Sequence, residues 1–455
     1  MDSDLSKEQL RKSVILLALP VLLELVISNL FGMVDMIMVG NSDVASITTP
    51  SIAAIGITNQ VMFIGTALAQ ALSTGGTALI ARYFGANKPE KIQPVVKHVI
   101  LVTVLFLAIP FLAIGLSFSE NLMGIIGAEA DAINVGLGYF RVVIFGFLFQ
   151  GYNLAIFASF RGAGDTKTPM MVNISVNLLN VIGNAILVFG LFGAPKLGVL
   201  GAGISTTFAH IVASIVLTTI LLSKKRIIAI DFKEKFRFNN SIVKNLFAVG
   251  GPAAMEQVAF RVGVIMFIRI VSGLGTLALA THQITLNILS LSFSPGQAFG
   301  IASSTLVGKS LGENKPDKAK EYMIIANRLA FIFATFIGVL FFFFGKHVTA
   351  LYTQDQAIIV QSIDILRLMA FIQPFQASQL CLAGGLRGAG DTVWTLIITF
   401  FSVVVVRLSV AYVLVYTVGL GLKGAWIAMF VDQLVRWAGV TLRFRTDKWK
   451  YVKLS

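Results

Sequence analysis

Long apolar stretches separated by short polar turns run through the whole chain. Stretches near the roughly 20 residues that cross a bilayer begin at about Val14, Ile52, Val95, Ile133, Pro169, Gly198, Ile242, Leu277, Ala319, Ala357, Thr392 and Lys423. This pattern predicts an all-α integral membrane protein with twelve transmembrane helices. A signal peptide is not the favoured interpretation of the first stretch, because it continues to Val39 and carries Glu24.

The chain contains two related halves. Arg161–Thr166 and Arg387–Thr392 both read Arg-Gly-Ala-Gly-Asp-Thr, and Gly85–Pro89 matches Gly312–Pro316 at nearly the same offset. A period this long indicates duplicated lobes and not a solenoid. Because six spans are an even number, both halves enter the membrane from the same side as a parallel repeat. We therefore expect two six-helix lobes joined by a cytoplasmic linker, with boundaries at 1–223, 224–240 and 241–455.

Composition and charge agree with this topology. Hydrophobic residues make up 56% of the chain and charged residues only 13%, while the net charge is +14. Basic residues gather in alternate loops and in the linker, which by the positive-inside rule places both termini in the cytoplasm of a multi-pass protein of the plasma (inner) membrane. The positive charge is then a consequence of topology, and no nucleic-acid partner is expected. Cys381 is the only cysteine, which excludes a disulfide framework.

Polar residues occupy single faces of several predicted spans. Such faces are Asn173, Asn177, Asn180 and Asn184 in span 5, Glu24, Ser28 and Asp35 in span 1, Asn59, Thr66, Gln70 and Thr77 in span 2, and Gln283, Asn287, Ser290 and Ser294 in span 8. An unpaired amide facing lipid costs several kcal/mol, so these faces must meet one another or water. We interpret them as the lining of a polar cavity. The alternative, that polar residues only hold helices together, stays open.

The duplication fails at these polar positions. The asparagines of span 5 are replaced in the second half by Thr399, Val403, Val406 and Val410, and Asp35 is replaced by Phe267. We therefore expect the N-terminal lobe to hold the polar, acidic part of the cavity. Glu256 is the main acid in the corresponding part of the other lobe, and the repeat-related Gln150 and Gln376 are also predicted to line the cavity.

The twin Arg-Gly-Ala-Gly-Asp-Thr segments are expected to form turns at the cytoplasmic ends of their spans. Their glycines permit a tight turn, Asp165 or Asp391 can cap the next helix, and Arg161 or Arg387 can reach lipid headgroups. The functional alternative is a cytoplasmic latch that forms and breaks during transport.

Charged residues inside the predicted spans are candidates for function. Asp432 and Arg436 are four residues apart in span 12, and with Arg407 they are expected to form a buried ion pair. Glu24 and Glu256 each follow a proline by four residues. They either serve helix ends freed by proline kinks or bind cations.

Signals for an enzyme are absent from the sequence. The four histidines, His98, His210, His282 and His347, are scattered without the spacing of metal ligands, and no catalytic triad or carboxylate pair can be recognised. We therefore expect a protein that is not an enzyme and has no metal site or cofactor.

Several of these features together resemble one transporter family. Twelve spans in two halves, Pro20 with Asp35 in the first span, the twin loops and Ala280–Ile284 (Ala-Thr-His-Gln-Ile) are similar to the multidrug and toxic compound extrusion (MATE) family, in particular its DinF-like branch. The resemblance covers nearly the whole chain. It implies a secondary antiporter that expels amphipathic, often cationic compounds by alternating access, driven by inward flow of H⁺ or Na⁺.

The resemblance also assigns roles to residues. The aspartate of the family's first span falls on Asp35, the polar positions of its fifth span fall on Asn180 and Asn184, and the hydroxyl of its sixth span falls on Thr206. Asn184 stands where some relatives carry a second aspartate.

A second departure from the family concerns the coupling ion. Gln376 and Phe260 stand where sodium-coupled relatives place acids. Both departures weaken a carboxylate-rich sodium site, so H⁺ is the expected coupling ion and Asp35 its carrier. Burial among apolar neighbours disfavours the charged form of Asp35, which allows it to hold a proton.

Two alternatives to a proton-coupled drug antiporter remain. One is a Na⁺-coupled drug antiporter, and the other is a lipid-linked saccharide flippase of related architecture. A flippase for an anionic lipid should line its cavity with Arg or Lys, whereas the N-terminal stripes carry acids and amides. We expect a monomer whose partners are small amphipathic or cationic molecules and the lipid bilayer.

Overall fold

The computed structural model describes residues 6–40, 45–223, 228–230, 236–452 and 454, with the backbone alone described at 35–37, 39–40, 45–49, 52 and 291. The described residues form helices and connecting turns, and none of them lies in a strand. The all-α fold class predicted from the hydropathy pattern is confirmed.

The helices of the first half cover almost all of its described residues. They are α1 Lys7–Gly40, α2 Ala45–Gly85, α3 Ile92–Thr103, α4 Ile109–Ser117, α5 Ser119–Ile126, α6 Ala130–Gly162, α7 Lys167–Phe189 and α8 Gly198–Leu222. A π-helical segment, Val104–Ala108, joins α3 to α4 in one continuous span.

The helices of the second half follow the same order. They are α9 Asn240–Ser272, α10 Thr276–Ser292, α11 Ser294–Gly312, α12 Pro316–Ala350, α13 Gln356–Gly388, α14 Thr392–Phe400, α15 Leu408–Tyr412 and α16 Gly421–Arg445. The π-helical segment Phe401–Arg407 joins α14 to α15, and α10 and α11 form one span with a break at Phe293. With these joined pairs counted once, and the short α5 set aside, the described helices form the twelve expected spans.

Length and composition alone qualify nine of the described helical segments as membrane spans. The other three are α9, α10–α11 and α16. Two of these contain buried ion pairs that make them less apolar, with Glu256 in α9 and Asp432 in α16, and the third is interrupted at Phe293. The charges of Glu256 and Asp432 are neutralised within the protein, which lowers the cost of placing these two carboxylates in a bilayer.

The chain divides into two compact units. The N-terminal unit comprises Leu23–Ile80 and Lys88–Phe247, and the C-terminal unit comprises Ala248–Ser455 together with α1 up to Leu22 and the segment Ala81–Asn87. Helices α1, α2 and α9 therefore contribute to both units. The lobe and linker boundaries expected from the sequence, 1–223, 224–240 and 241–455, stay a prediction.

The core of the N-terminal unit is built around α6. Phe140, Ile144 and Phe147 of this helix are completely buried. The ring of Phe147 lies 4.4 Å from the ring of Phe111 in α4. Between membrane helices such contacts stabilise by close packing and not by transfer out of water, because lipid tails are as apolar as the side chains themselves.

The C-terminal unit contains the buried ion pair expected from the sequence. The carboxylate of Asp432 accepts a hydrogen bond from Nε of Arg407 at 2.9 Å and from Nη2 of Arg436 at 3.0 Å. Ser402 also donates to this carboxylate. Asp432 and Arg407 are almost fully buried, so each depends on the other for neutralisation.

The duplicated loops meet at two glycines of the C-terminal unit. Gly312, at the end of α11, packs so closely on the end of α2 that a Cβ atom there would lie 2.1 Å from the carbonyl oxygen of Arg82. Gly85, the repeat-related residue in α2, packs in the same way on Lys309. Only glycine permits two helix ends to approach this closely, which explains why both copies of the loop begin with it.

The guanidinium group of Arg82 connects this contact to the end of the chain. Its Nη2 atom donates to the carbonyl oxygens of Ala389 at 2.9 Å and Val452 at 2.8 Å. The C-terminal tail after α16 is further held by an ion pair between Lys320 and Asp447 at 2.8 Å and by the buried side chain of Trp449.

The described part of the linker lies on α3 in the N-terminal unit. Nε2 of His98 accepts a hydrogen bond from the backbone N–H of Asn239 at 2.9 Å, and Nδ1 lies 2.7 Å from the carbonyl oxygen of Pro94. Phe236 and Phe238 pack against the imidazole ring at centroid distances of 5.0 and 5.6 Å. Both ring nitrogens and both phenylalanine contacts therefore hold this part of the linker on α3.

The twin loops use their aspartates differently. Asp165 caps α7, because its carboxylate accepts hydrogen bonds from the backbone N–H of Thr168 at 3.0 Å and from the Thr168 hydroxyl at 2.6 Å. Asp391 makes no capping bond and instead pairs with Arg443 of α16 at 2.6 Å. The expected cap is thus confirmed in the first copy and wrong in the second.

Candidate functional site

The predicted polar face of α7 exists and contacts α1 along the N-terminal half of α7. Nδ2 of Asn173 donates to the Glu24 carboxylate at 3.0 Å and to the Ser28 hydroxyl at 3.4 Å. Nδ2 of Asn177 donates to the same hydroxyl at 3.2 Å. The two polar faces predicted for spans 1 and 5 therefore face each other within the N-terminal unit.

Further along the same face, α7 contacts α8. Nδ2 of Asn180 donates to the hydroxyl of Thr206 at 2.8 Å, and the hydroxyl of Ser205 donates to the carbonyl oxygen of Asn180 at 2.8 Å. Thr206 in turn donates to the carbonyl oxygen of Ala202 at 2.9 Å. Asn184 is completely buried. The contact of Asn180 with Thr206 joins two residues to which the family resemblance assigned a role.

A cavity of about 150 Å³ lies next to this contact, between α2, α6 and α8. Its polar lining consists of Asn59, Tyr139, Gln150, Thr206, Thr207 and His210, and its apolar lining includes Met62 and Val143. Oε1 of Gln150 is buried and accepts no hydrogen bond from the described residues. The cavity therefore offers a ready acceptor beside amide, hydroxyl and imidazole groups.

The chemistry of this cavity suits a ligand with both apolar surface and hydrogen-bonding groups. No Lys or Arg is found among its described lining residues. Pockets that combine apolar walls with a few polar groups bind small organic molecules and orient them by those groups. Such a volume holds part of an amphipathic compound or several ordered water molecules.

Two other predicted residues belong to helices of the N-terminal unit. Gln70 of α2 is exposed. Asp35 lies in α1, but its side chain lies outside the described residues, so its role in coupling stays a prediction.

The remaining predicted residues belong to the C-terminal unit. Gln283 and Asn287 of α10 are exposed, and Gln376 of α13 is partly buried. Glu256 of α9 is buried and forms an ion pair with Arg387 at 2.7 Å. These residues are not part of the cavity in the N-terminal unit.

The sequence led us to expect that the arginines of the twin loops reach lipid headgroups. The structure shows instead that each pairs with a buried glutamate. Nη2 of Arg161 contacts Glu24 at 2.7 Å, and Nη2 of Arg387 contacts Glu256 at the same distance. In each half, the arginine of the twin loop thus pairs with the glutamate that follows a proline by four residues, and the two pairs are repeat-related. Pairing with a buried carboxylate is a stronger interaction for a guanidinium group than contact with the membrane surface, because the carboxylate is shielded from water.

Three polar lining residues, Tyr139, Thr207 and His210, were not predicted from the sequence. The four histidines lack the spacing of metal ligands, and no cluster able to hold a metal ion is found among the described residues. The available signal was a different one. His210 follows Thr206 by four residues, which places both on one face of α8.

Comparison with known proteins agrees with the fold and the repeat. The MatE family model matches residues 20–186 and 252–413, one stretch in each half. A probable multidrug resistance protein NorM of Thermotoga maritima is 32% identical, with 97% of this chain and 94% of the relative covered. The multidrug resistance protein NorM of Vibrio cholerae is 30% identical, with 92% of each chain covered.

Solved structures show the same fold. A multidrug resistance MATE family transporter of the MOP superfamily in an outward-facing conformation matches with a TM-score of 0.88 and 23% identity, covering 96% of this chain and 97% of the other. A MOP superfamily transporter from Pyrococcus furiosus matches with a TM-score of 0.88 over 98% of each chain. The expected DinF-like branch stays a prediction. The family model covers most of both halves of this chain, and full-length relatives are identical to it at about a third of the aligned residues. This chain therefore belongs to the MATE family of membrane transporters.

Proposed function

We propose that the protein is a secondary multidrug efflux antiporter of the plasma membrane that exports amphipathic, often cationic compounds in exchange for protons. The observation that carries this proposal is the cavity of the N-terminal unit beside the Asn180–Thr206 contact. Its lining combines apolar side chains with neutral polar groups, which suits chemically varied amphipathic molecules. The similarity to the NorM multidrug resistance proteins supports the same substrate class.

The proposed mechanism assigns coupling to Asp35. An ionised carboxylate attracts a cationic substrate, and a proton taken up from outside removes that charge and weakens substrate binding. By linkage, the substrate weakens proton binding by the same free energy. Binding of a cationic drug should therefore release a proton, and drug affinity should fall as the pH is lowered.

Alternating access is the proposed route across the membrane. The duplication of the chain favours movement of the two lobes as units. Spin labels at Lys167 and Glu321, both exposed near the predicted cytoplasmic surface, should give two distance populations whose ratio changes with pH or substrate. A single distance unchanged by either condition would contradict alternating access.

The decisive experiment measures drug or dye efflux from cells that express the protein, under an imposed pH gradient with and without Na⁺. The proposed transporting unit is a monomer. We expect efflux that follows the pH gradient and does not require Na⁺. Asp35→Asn should abolish efflux and drug-induced proton release, whereas Asp355→Asn, at an exposed helix cap, should leave both intact. Efflux that requires Na⁺ would instead support the sodium-coupled alternative.

The flippase alternative makes a different prediction. A lipid with an anionic headgroup requires cationic residues in the cavity, and the described lining residues of the N-terminal unit include no Lys or Arg. Movement of a lipid-linked saccharide between leaflets of a reconstituted vesicle, without efflux of any cationic dye, would overturn the antiporter proposal.

A further inference from the structure

The two repeat-related ion pairs differ in how completely the carboxylate is hydrogen-bonded. In the C-terminal unit, Oε1 of Glu256 accepts from Arg387 at 2.7 Å and from the hydroxyl of Thr399 at 3.1 Å. Its other oxygen, Oε2, accepts from the hydroxyl of Thr395 at 2.9 Å. Both oxygens of this buried carboxylate therefore have donors.

In the N-terminal unit only one oxygen has donors. Oε1 of Glu24 accepts from Nη2 of Arg161 at 2.7 Å and from Nδ2 of Asn173 at 3.0 Å. Oε2 is buried and accepts no hydrogen bond from any described residue. Glu24 as a whole is 2% exposed. Its free oxygen is thus withdrawn from bulk solvent and left without a donor.

The sequence explains this difference. Asn173 is the repeat equivalent of Thr399, and both supply a donor to Oε1 of their glutamate. Pro169 is the repeat equivalent of Thr395, and proline has neither a hydroxyl group nor a backbone N–H. The hydroxyl of the preceding residue, Thr168, is already bonded to Asp165.

Burying a carboxylate oxygen that accepts no hydrogen bond costs free energy. Binding of a positively charged ligand to that oxygen lowers this free-energy cost. A proton needs a single lone pair, whereas a metal ion needs several oxygen ligands. No metal-binding cluster is found in the described part of the chain. A single free oxygen is therefore better suited to a proton than to a metal ion.

The surroundings of Glu24 permit a neutral carboxyl group. Among the described residues, the charged group in contact with it is Arg161 of α6, while α7 contributes the Asn173 amide. If Glu24 becomes neutral, Arg161 loses its ion pair with Glu24. The Arg161 side chain is 16% exposed, compared with 4% for Arg407 in the Asp432 ion pair, so water can solvate its charge.

We propose that Glu24 is a second proton-binding residue of the N-terminal unit, and that Glu256 is its permanently ion-paired counterpart. Hydronium transfers a proton to Oε2, so that an O–H bond forms there, one O–H bond of hydronium breaks and water is left. The carboxylate becomes neutral and its attraction to Arg161 weakens; return of the proton to water restores the ion pair. Asn173, Ser28 and Asn177 connect this residue to the polar face of α7 that also carries Asn180. The inference rests on the proposed proton coupling and adds a residue to it.

The test measures protonation directly and needs no transport. Infrared difference spectra between mildly acidic and neutral pH are recorded on purified Asp35→Asn protein, which lacks the coupling residue proposed above. We expect a band of a protonated carboxylic acid. Adding Glu24→Gln should remove that band, whereas adding Glu256→Gln should leave it unchanged. The two glutamine variants each deprive one repeat-related arginine of its partner, so the second controls for that disturbance.

Two substitutions at the repeat-related positions 169 and 395 test the inference without removing either glutamate. Pro169→Thr supplies the missing donor while leaving the Glu24–Arg161 pair in place. At a pH where the protonated acid is the minor form, the band should weaken about tenfold, the effect of one strong hydrogen bond to a carboxylate. Thr395→Val removes the donor from Oε2 of Glu256 and should add a second band.

The inference is wrong if the band persists in Glu24→Gln and is not weakened in Pro169→Thr. It is also wrong if Na⁺ removes the band at constant pH and ionic strength. Failure of the antiporter proposal has a different signature, because wild-type protein would then show no drug efflux whatever the infrared result.

Discussion

A Cβ atom added to Gly85 would lie 1.9 Å from the carbonyl oxygen of Lys309, a contact that no side-chain rotation can relieve. Gly85→Ala should therefore force the ends of α2 and α11 apart and lower the free energy of unfolding by about 1–3 kcal/mol, the usual cost of overpacking. The measurement is denaturant unfolding of purified protein in detergent. Gly56→Ala on the same helix is the control, because nothing lies within 4 Å of its added methyl group. Equal stability of both variants would contradict the close contact.

Asp432 is the centre of a buried charge cluster, and its removal should be costly. Asp432→Asn leaves Arg407 buried without a counter-charge, which should destabilise the protein by about 3–5 kcal/mol. Asp364→Asn breaks a surface ion pair with Lys423 and should cost less than about 1 kcal/mol, because the Lys423 side chain is 65% exposed and the Asp364 side chain 48%. Comparable unfolding midpoints for the two variants would show that the cluster is not buried.

The structure explains why the buried ion pair of α16 and the twelve spans could be predicted from the sequence. Asp432 and Arg436 are four residues apart on one helix, so their meeting follows from local geometry. The twelve spans follow from hydropathy in the same way, since a bilayer demands helices of a fixed length.

The missed contacts are long-range ones. Helical periodicity shows which face of a helix is polar, but it does not show which helix that face meets. The pairing of Arg161 with Glu24 joins residues from α6 and α1, so a lipid-facing arginine remained the simpler interpretation of the loop. His210 was missed for a similar reason, because its cavity is formed by three helices together.

The C-terminal tail should stay docked at neutral pH and detach only in strong acid. The hydrogen bond from Lys320 holds the pKa of Asp447 below its ordinary value. Because this pKa is lowered in the folded state, the stabilisation is present above the unfolded pKa of about 3.9 and is lost as the pH falls through the folded value.

This pH dependence can be followed with a dye attached through Tyr451→Cys, since the native Cys381 is buried. Lys320→Met should move the detachment midpoint upward toward about pH 3.9. Lys318→Met, which removes a lysine that pairs with Glu313, serves as the control and should leave the midpoint unchanged. A midpoint that does not respond to Lys320→Met would show that the ion pair does not hold the tail.

The contact of Asn180 with Thr206 should matter for transport more than for folding. Thr206→Val keeps the shape of the side chain but leaves the Nδ2 of Asn180 without its 2.8 Å acceptor next to the cavity. A hydrogen bond of this kind contributes about 1 kcal/mol, so drug efflux should fall roughly fivefold, and Thr206→Ser should restore it. Thr219→Val on the same helix removes a hydroxyl that, among the described residues, donates to the carbonyl oxygen of Ile215 on its own helix, and it should have no effect on efflux. If Thr206→Val and Thr219→Val transport equally well, the Asn180–Thr206 contact has no part in the transport cycle.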